Sequence, residues 1–220
     1  MLFEAIECVA DPEPHDGAFN MAMDETLFLE TAAPAIRVYG WSRPAVSFGY
    51  FERYAAAVET HPGREPVRRW TGGGIVPHGE DLTYSLFAPA DSALARLKPS
   101  ESYRFIHECI LELLARVGVV GSVAAETGAG VSRACFEKAA RHDILAGGKK
   151  IAGAAQRRTR SGLLHQGSIQ NVALPRGFGD LLAAAFSRRV KTRELRRDET
   201  ERAALLAREK YAGQAWLKRY

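Results

Sequence analysis

Apolar and polar positions alternate in a way that divides the chain into a strand-rich middle with helices clustered around it. Residues 20–30 predict a first helix, with Asn20 as its N-cap and acidic residues suited to the positive end of the dipole. Residues 36–39 and 45–48 are short period-two runs bounded by Gly40, Pro44 and Gly49 and read as strands, as do residues 66–70 and 82–87. The clearest helix spans residues 100–117. There Tyr103, Ile106, Ile110, Leu113, Leu114 and Val117 recur at helical spacing, and Gly118 stands where a C-cap belongs. Further strand-like runs fall at 119–120, 143–145, 150–152 and 163–165. After Pro175 helices are expected at 178–186 and 198–211, the second opened by a capping box of Asp198 and Glu201.

Strands in the middle with helices in clusters predict an α+β (α/β) fold: a central mixed, largely antiparallel sheet flanked by helices, without strict βαβ alternation. Residues 188–197 are the one internal boundary the pattern offers. The expectation is a single catalytic domain over 1–220, with a core at 1–187 and a basic helical tail at 188–220.

Composition narrows the class. At 46% hydrophobic and 25% charged residues, the chain has the profile of a soluble globular domain. Its formal charge of +4 is concentrated in the stretches from Arg157 to Arg160 and from Arg188 to Arg197. Such runs fit acidic partners, either nucleic acid or an acidic carrier domain, and equally a solvated face. Nothing reads as a helix-turn-helix and the aromatics are not interleaved with the basic runs, which argues against nucleic acid. The 3 cysteines lie far apart without a CxxC pair, so a reducing compartment is expected. With no leader-like start and no apolar run near the roughly 20 residues that span a bilayer, the expectation is a cytoplasmic protein away from membranes. The 6 histidines show no HxH or HExxH spacing, and no metal site is expected.

Two glycine-rich segments carry the candidate chemistry. In Arg69-x-Thr71-Gly72-Gly73-Gly74, consecutive glycines can expose backbone N–H groups to a carboxylate or phosphate, and Arg69 can grip such an anion bidentately. The segment lacks the spacing of a P-loop or a dinucleotide fingerprint; the plain alternative is a hairpin turn. In Lys150-Ile151-Ala152-Gly153-Ala154-Ala155, small residues leave room for a ligand chain and the Lys150 ammonium can hold a carbonyl oxygen. Its plain alternative is an exposed strand lysine beside packed alanines. Cys135 sits in mixed, basic surroundings that favour the thiolate, whereas Cys8 and Cys109 read as inert. His78 and His165, at the ends of the two regions, are each a base or a pocket wall.

These segments, in their order, resemble the lipoate–protein ligase and octanoyltransferase family, which shares its catalytic fold with biotin–protein ligases. The matching pieces are Phe19 to Glu25, Tyr39-Gly40-Trp41 through Ser47-x-Gly49-Tyr50-Phe51, the Arg69 loop with His78 and Asp81-Leu82-Thr83-Tyr84-Ser85, the Lys150 segment, and Leu164-His165-Gln166-Gly167-Ser168. The resemblance covers roughly residues 1–185 and implies an elongated tunnel for an octanoyl or lipoyl chain. It implies substrate-binding roles for Arg69, Thr71, Gly72, Gly73, Gly74, His78, Gly153, Ala155 and His165, with Lys150 at the acyl carbonyl. The chain is closest to a cysteine-dependent octanoyltransferase subgroup, in which Cys135 occupies the nucleophile's place. That branch takes the acyl group from octanoyl-acyl carrier protein, without a cofactor, to a lysine of a lipoyl carrier domain (a 2-oxoacid dehydrogenase E2 or the glycine cleavage H protein). The ligase branch instead activates free lipoate with ATP and Mg2+. A non-catalytic relative that binds ligand or nucleic acid is the reading from outside enzymology.

Overall fold

The two strands with the most continuous burial, β6 (Leu82–Pro89) and β10 (Gly162–Ile169), pair antiparallel from Leu82 with Ile169 to Pro89 with Gly162, at the centre of the molecule. The computed structural model describes residues 1–126 and 139–220. The other strands are β1 (Ile6–Ala10), β2 (Ala35–Tyr39), β3 (Ala45–Phe48), β4 (Glu65–Arg68), β5 (Ile75–His78), β7 (Ser122–Val123), β8 (Ile144–Ala146), β9 (Lys149–Thr159) and β11 (Val190–Glu194). The helices are α1 (Gly17–Glu30), α2 (Tyr54–Thr60), α3 (Ala93–Arg96), α4 (Pro99–Arg116), α5 (Phe178–Phe186), α6 (Arg197–Leu206) and α7 (Gln214–Leu217), with a π-helical turn at Ala207–Tyr211.

Eight strands form one sheet in the order β11-β1-β2-β6-β10-β9-β8-β7, parallel at the β11-β1-β2 edge and antiparallel from β2 onward. The mixed, largely antiparallel sheet expected from the sequence is therefore present. A second sheet, β4-β3-β5, holds the strands around the first glycine loop. Helices cover both faces of the large sheet. Ile106, Ile110 and Leu114 of α4 and Phe178, Leu182 and Phe186 of α5 pack against Tyr84, Leu86 and Leu163. On the other face, Met21, Leu27 and Phe28 of α1 and Ala203 of α6 meet Phe87 and Leu164. Each fully buried side chain of this kind contributes about 1.5–3 kcal/mol, so the two layers hold the sheet firmly between them.

Several local expectations are corrected. The N-cap of α1 is Asp16, whose carboxylate accepts from the Phe19 N–H at 2.8 Å. Asn20 lies one turn inside the helix, where its Oδ1 accepts from Arg37 and its amide donates to the Gly40 carbonyl. Residues 119–120 are not a strand; Val120 is exposed and the strand falls at Ser122–Val123. The last helical stretch opens with Glu199 accepting from the Arg196 N–H, while Asp198 and Glu201 pair with Arg202 and Arg197 instead. Within the expected basic helical tail, Val190–Glu194 is a strand in register with β1. Much of the charge there is paired: Arg193 bonds Glu7 and Glu199, and Arg202 bonds Glu30 and Asp198. No helix among the described residues is long and apolar enough to cross a membrane.

Candidate active site

Between the two sheets the described residues leave a cavity of about 50 Å³, walled by β9 and β10 on one side and by β3, β5 and the loop after β4 on the other. That holds a water or two and falls short of an eight-carbon chain. Trp41 and His78 separate it from a wider polar cleft of about 720 Å³ lined by Arg43, Arg64 and Asn171.

Lys150 reaches this cavity because β9 carries a bulge. Against β8, Leu145 pairs with Lys150 and Ile144 with Ala152, so one extra residue is inserted at Ile151. The insertion breaks the period-two alternation: Ile151 and Ala152 both enter the core, while Lys150, Gly153 and Ala155 share the cavity wall. The ammonium lies across Gly153 and pairs with Asp143 Oδ2 at 2.8 Å, both side chains almost fully buried. A Cβ on Gly153 would stand 2.6 Å from Lys150 Nζ; only glycine leaves that path open. The other Asp143 oxygen accepts from Tyr103 Oη at 2.5 Å, and the Ala140 N–H donates to the carboxylate at 2.6 Å. The plain reading of Lys150 as an exposed strand lysine does not hold: it is 9% exposed.

The glycine loop is no hairpin turn either, since β4 and β5 flank β3 on opposite sides and the loop crosses between them. Gly73, at φ +80, takes the left-handed turn that the crossing requires. The two neighbouring arginines divide the work. Arg68 is fully buried and donates to the carbonyls of Tyr50, Glu52, Trp216 and Leu217 at 2.7–2.9 Å. Arg69 faces the cavity, but its guanidinium donates to the Gly72 and Gly74 carbonyls and to Ser47 Oγ. These bonds shape the loop from a side chain that also stands on the cavity wall.

His78 forms the far wall. Its ring stacks on Trp41 with centroids 4.2 Å apart, Nδ1 faces Asp81 Oδ2 at 2.8 Å and Nε2 faces Ser47 Oγ at 2.6 Å. Asp81 also accepts from Thr83, Ser168 and the Gly79 N–H. Although burial opposes its charge, His78 and these donors hold its carboxyl far below the usual carboxylate range. Under the floor, Thr71 Oγ1 donates to Gln166 Oε1, Gln166 donates to Asp24, and Asp24 accepts from Arg37 and Ser85. Thr71 thus stands behind the wall, and Gly72 is half-exposed outside the cavity lining.

His165 lies elsewhere. On β10 the even positions Gln166 and Ser168 face the cavity, and the odd position His165 points to the α4 side, against Tyr103 and His107. It is 0% exposed, burial pushes its pKa well down, and it bonds to Gln156. Among the described residues His165 lines neither the inner cavity nor the polar cleft, in contrast to the expected place at the substrate. Cys135 lies outside the described residues. The sequence reading missed Ser47, Trp41, Asp143 and Gln166 as site residues. Asp143 sat in a strand-like run, and no periodicity marks a carboxylate that meets a lysine seven residues on. Cys8 and Cys109 are free thiols whose pKa burial raises, consistent with inert roles.

A buried amine held over small residues and a backbone-lined loop suits a domain that grips an acyl or carboxyl group and polarises its carbonyl. The family described as the lipoyl protein ligase A/B catalytic domain matches residues 16–198, and the chain belongs to that family. It is 32% identical over 210 residues to octanoyltransferase LipM of Oceanobacillus iheyensis, covering 90% of this chain and 77% of that one. To the LipM octanoyltransferase of Carboxydothermus hydrogenoformans it is 36% identical over 162 residues, 70% of this chain and 60% of the relative. It spans a similar share, 61%, of the one from Kyrpidia tusciae. Among solved structures, a lipoate protein ligase from T. acidophilum with bound lipoic acid superposes with TM-score 0.79 at 19% identity, over 99% of this chain and 100% of that one. A lipoate-protein ligase A bound with ATP superposes with TM-score 0.78 at 19% identity, over 98% and 99%. At these identities the likeness to the solved structures shows the shared fold.

Proposed function

We propose that this chain is an octanoyltransferase of protein lipoylation. It takes the acyl group from acyl carrier protein as a thioester on Cys135 and passes it to a lysine of a lipoyl carrier domain, an E2 or the glycine cleavage H protein. The observation that carries the reading is the buried Lys150–Asp143 pair on the cavity wall, taken with relatives named octanoyltransferase over most of the chain. The ammonium is fixed by Asp143, itself held by Tyr103, and stands ready to receive developing charge on the carbonyl oxygen, without reorganising as the bond forms. Gly153 and Ala155 leave the adjoining wall open, and the unbranched Met21 side chain can yield as the acyl chain enters. Attack by the thiolate makes the acyl-enzyme; attack by the neutral carrier amine makes the amide and frees the thiol. The reading needs no cofactor, treats residues 1–220 as one catalytic domain and places it in the cytoplasm.

The second reading, ATP-dependent activation of lipoate, is favoured by the consecutive glycines 72–74 and by the ligase fold neighbours. No three His, Cys, Asp or Glu side chains cluster as a metal site among the described residues. Intact mass after incubation with octanoyl-acyl carrier protein separates the readings. A transferase gains one octanoyl group, and Cys135→Ser abolishes both the adduct and the transfer. Full activity of Cys135→Ser that requires ATP and Mg2+ establishes the ligase.

A further inference from the structure

We propose that Ser47, His78 and Asp81 form a proton relay that accepts the proton of the attacking carrier lysine; the proposal rests on the acyl-transfer reading above. Hydrogen-bond direction carries the argument. Arg69 Nη1 can only donate, so in its 2.7 Å contact Ser47 Oγ is the acceptor. The hydroxyl keeps a proton to offer His78 Nε2 at 2.6 Å. The ionised Asp81 Oδ2, 2.8 Å from Nδ1, can only accept, which puts the proton of the neutral ring on Nδ1 and leaves Nε2 to accept from Ser47. The hydrogen bonds of the neutral relay therefore run from the cavity inward: hydroxyl, imidazole, carboxylate. The order is that of a serine–histidine–aspartate triad.

The surroundings keep the three groups in line. Trp41 stacks on the imidazole at an interplanar angle of 17° and is anchored through its Nε1 to Thr83 Oγ1 at 2.8 Å. Thr83 and Ser168 hold Asp81, and Arg64 donates to the His78 carbonyl at 2.5 Å. The charged groups around the relay are thus Asp81, Arg69 beyond Ser47, and Arg64 at the main chain. The Arg69 cation beside Ser47 Oγ lowers the cost of negative charge on that oxygen, and Asp81 lowers the cost of positive charge on the ring. Ser47 and His78 both line the cavity that Lys150 enters, whereas Asp81 does not.

The acceptor lysine needs such a relay. Its ammonium, near pKa 10.4 in isolation, must be neutral to attack, and the tetrahedral adduct must shed a further proton. As the lysine enters, its ammonium proton passes to Ser47 Oγ and the hydroxyl proton moves to His78 Nε2. Asp81 remains ionised against the imidazolium. The second proton leaves the tetrahedral adduct for the departing thiolate as the C–S bond breaks, and the imidazolium gives its proton to solvent. The thioester and amine are converted to amide and thiol, and the relay is restored.

The test separates a proton acceptor from a pocket wall. The octanoylated enzyme is isolated and its acyl group is offered either to the carrier-domain lysine or to hydroxylamine, which is uncharged at neutral pH. Asp81→Asn keeps the shape and removes the charge. It is expected to slow transfer to lysine about 100-fold while hydroxylamine cleavage changes by less than about threefold. His78→Ala provides a second readout: added imidazole restores lysine transfer. Equal slowing with both amines, or no slowing with lysine, overturns the relay. A wild-type chain that takes up no octanoyl group overturns the parent reading, and the relay with it.

Discussion

Gly153→Ala tests whether the placement of Lys150, rather than its mere presence, sets the rate. The new Cβ would lie 2.4 Å from Lys150 Cε and 2.6 Å from Nζ. Both atoms are at the end of a flexible side chain, so the strand stays put and the amine moves. To reach ordinary contact near 3.4 Å, Nζ must retreat by about 0.8 Å. The retreat breaks its 2.8 Å contact with Asp143 and, on the proposed transfer, takes the ammonium away from the acyl carbonyl. Misplacement on this scale lowers turnover about 100-fold. The fold loses little, about 1 kcal/mol or 2–4 °C in Tm, because no backbone contact is violated. Octanoyl transfer to a carrier domain and thermal unfolding are measured side by side, with Lys150→Met as the comparator for complete loss of the amine. Turnover of Gly153→Ala within about threefold of wild type refutes the reasoning. So does Lys150→Met retaining activity.

Two further perturbations address stability. His107 is fully buried, its Nδ1 donates to the His142 carbonyl, and burial lowers its pKa to about 4 against roughly 6.5 when unfolded. The unfolded chain therefore binds a proton that the native chain refuses. The stability from this site is complete above pH 6.5 and is lost as pH falls toward 4, by about 3 kcal/mol; His165, also depressed by burial, adds in the same direction. Urea unfolding at pH 7.5 and 4.5 checks this: His107→Gln should flatten the slope, and an unchanged slope counts against the assignment. Arg68→Met should cost about 4 kcal/mol by stranding the buried carbonyls of Trp216 and Leu217 and the part-buried ones of Tyr50 and Glu52. A loss below about 1 kcal/mol in the same assay would contradict that role.

What could be read from the sequence followed hydrophobic period, and what escaped it depended on partners distant in the chain. Helix α4 and strands β6 and β10 advertise themselves because one face of each meets a core. Strand β11 does not: Val190-Lys191-Thr192-Arg193-Glu194 is an edge strand, almost entirely exposed, with no apolar alternation to detect. Asp16 and Asn20 are both good N-cap residues, and partners brought in from β2 and the turn after it, the Arg37 guanidinium and the Gly40 carbonyl, decide that Asn20 goes inside. On the site, the glycine loop, Lys150 and His78 were visible as cations and imidazole beside small residues. The contact of Lys150 with the cavity depends on a bulge opposite Leu145 that no residue type announces. Strand parity separates His165 from Gln166, and a motif does not reveal which of two neighbours faces in.

Arg68 also has a bearing on when the pocket can be finished. The residue beside it shapes the glycine loop, yet the carbonyls that Arg68 holds at Trp216 and Leu217 lie 148 and 149 positions along the chain. Contacts of that span form late, after the shorter loops have closed. A chain emerging from the ribosome can pair β6 with β10 before this clasp exists. The wall behind the glycine loop is latched only once residue 217 is in place, so the cavity stays unfinished after its other walls have formed.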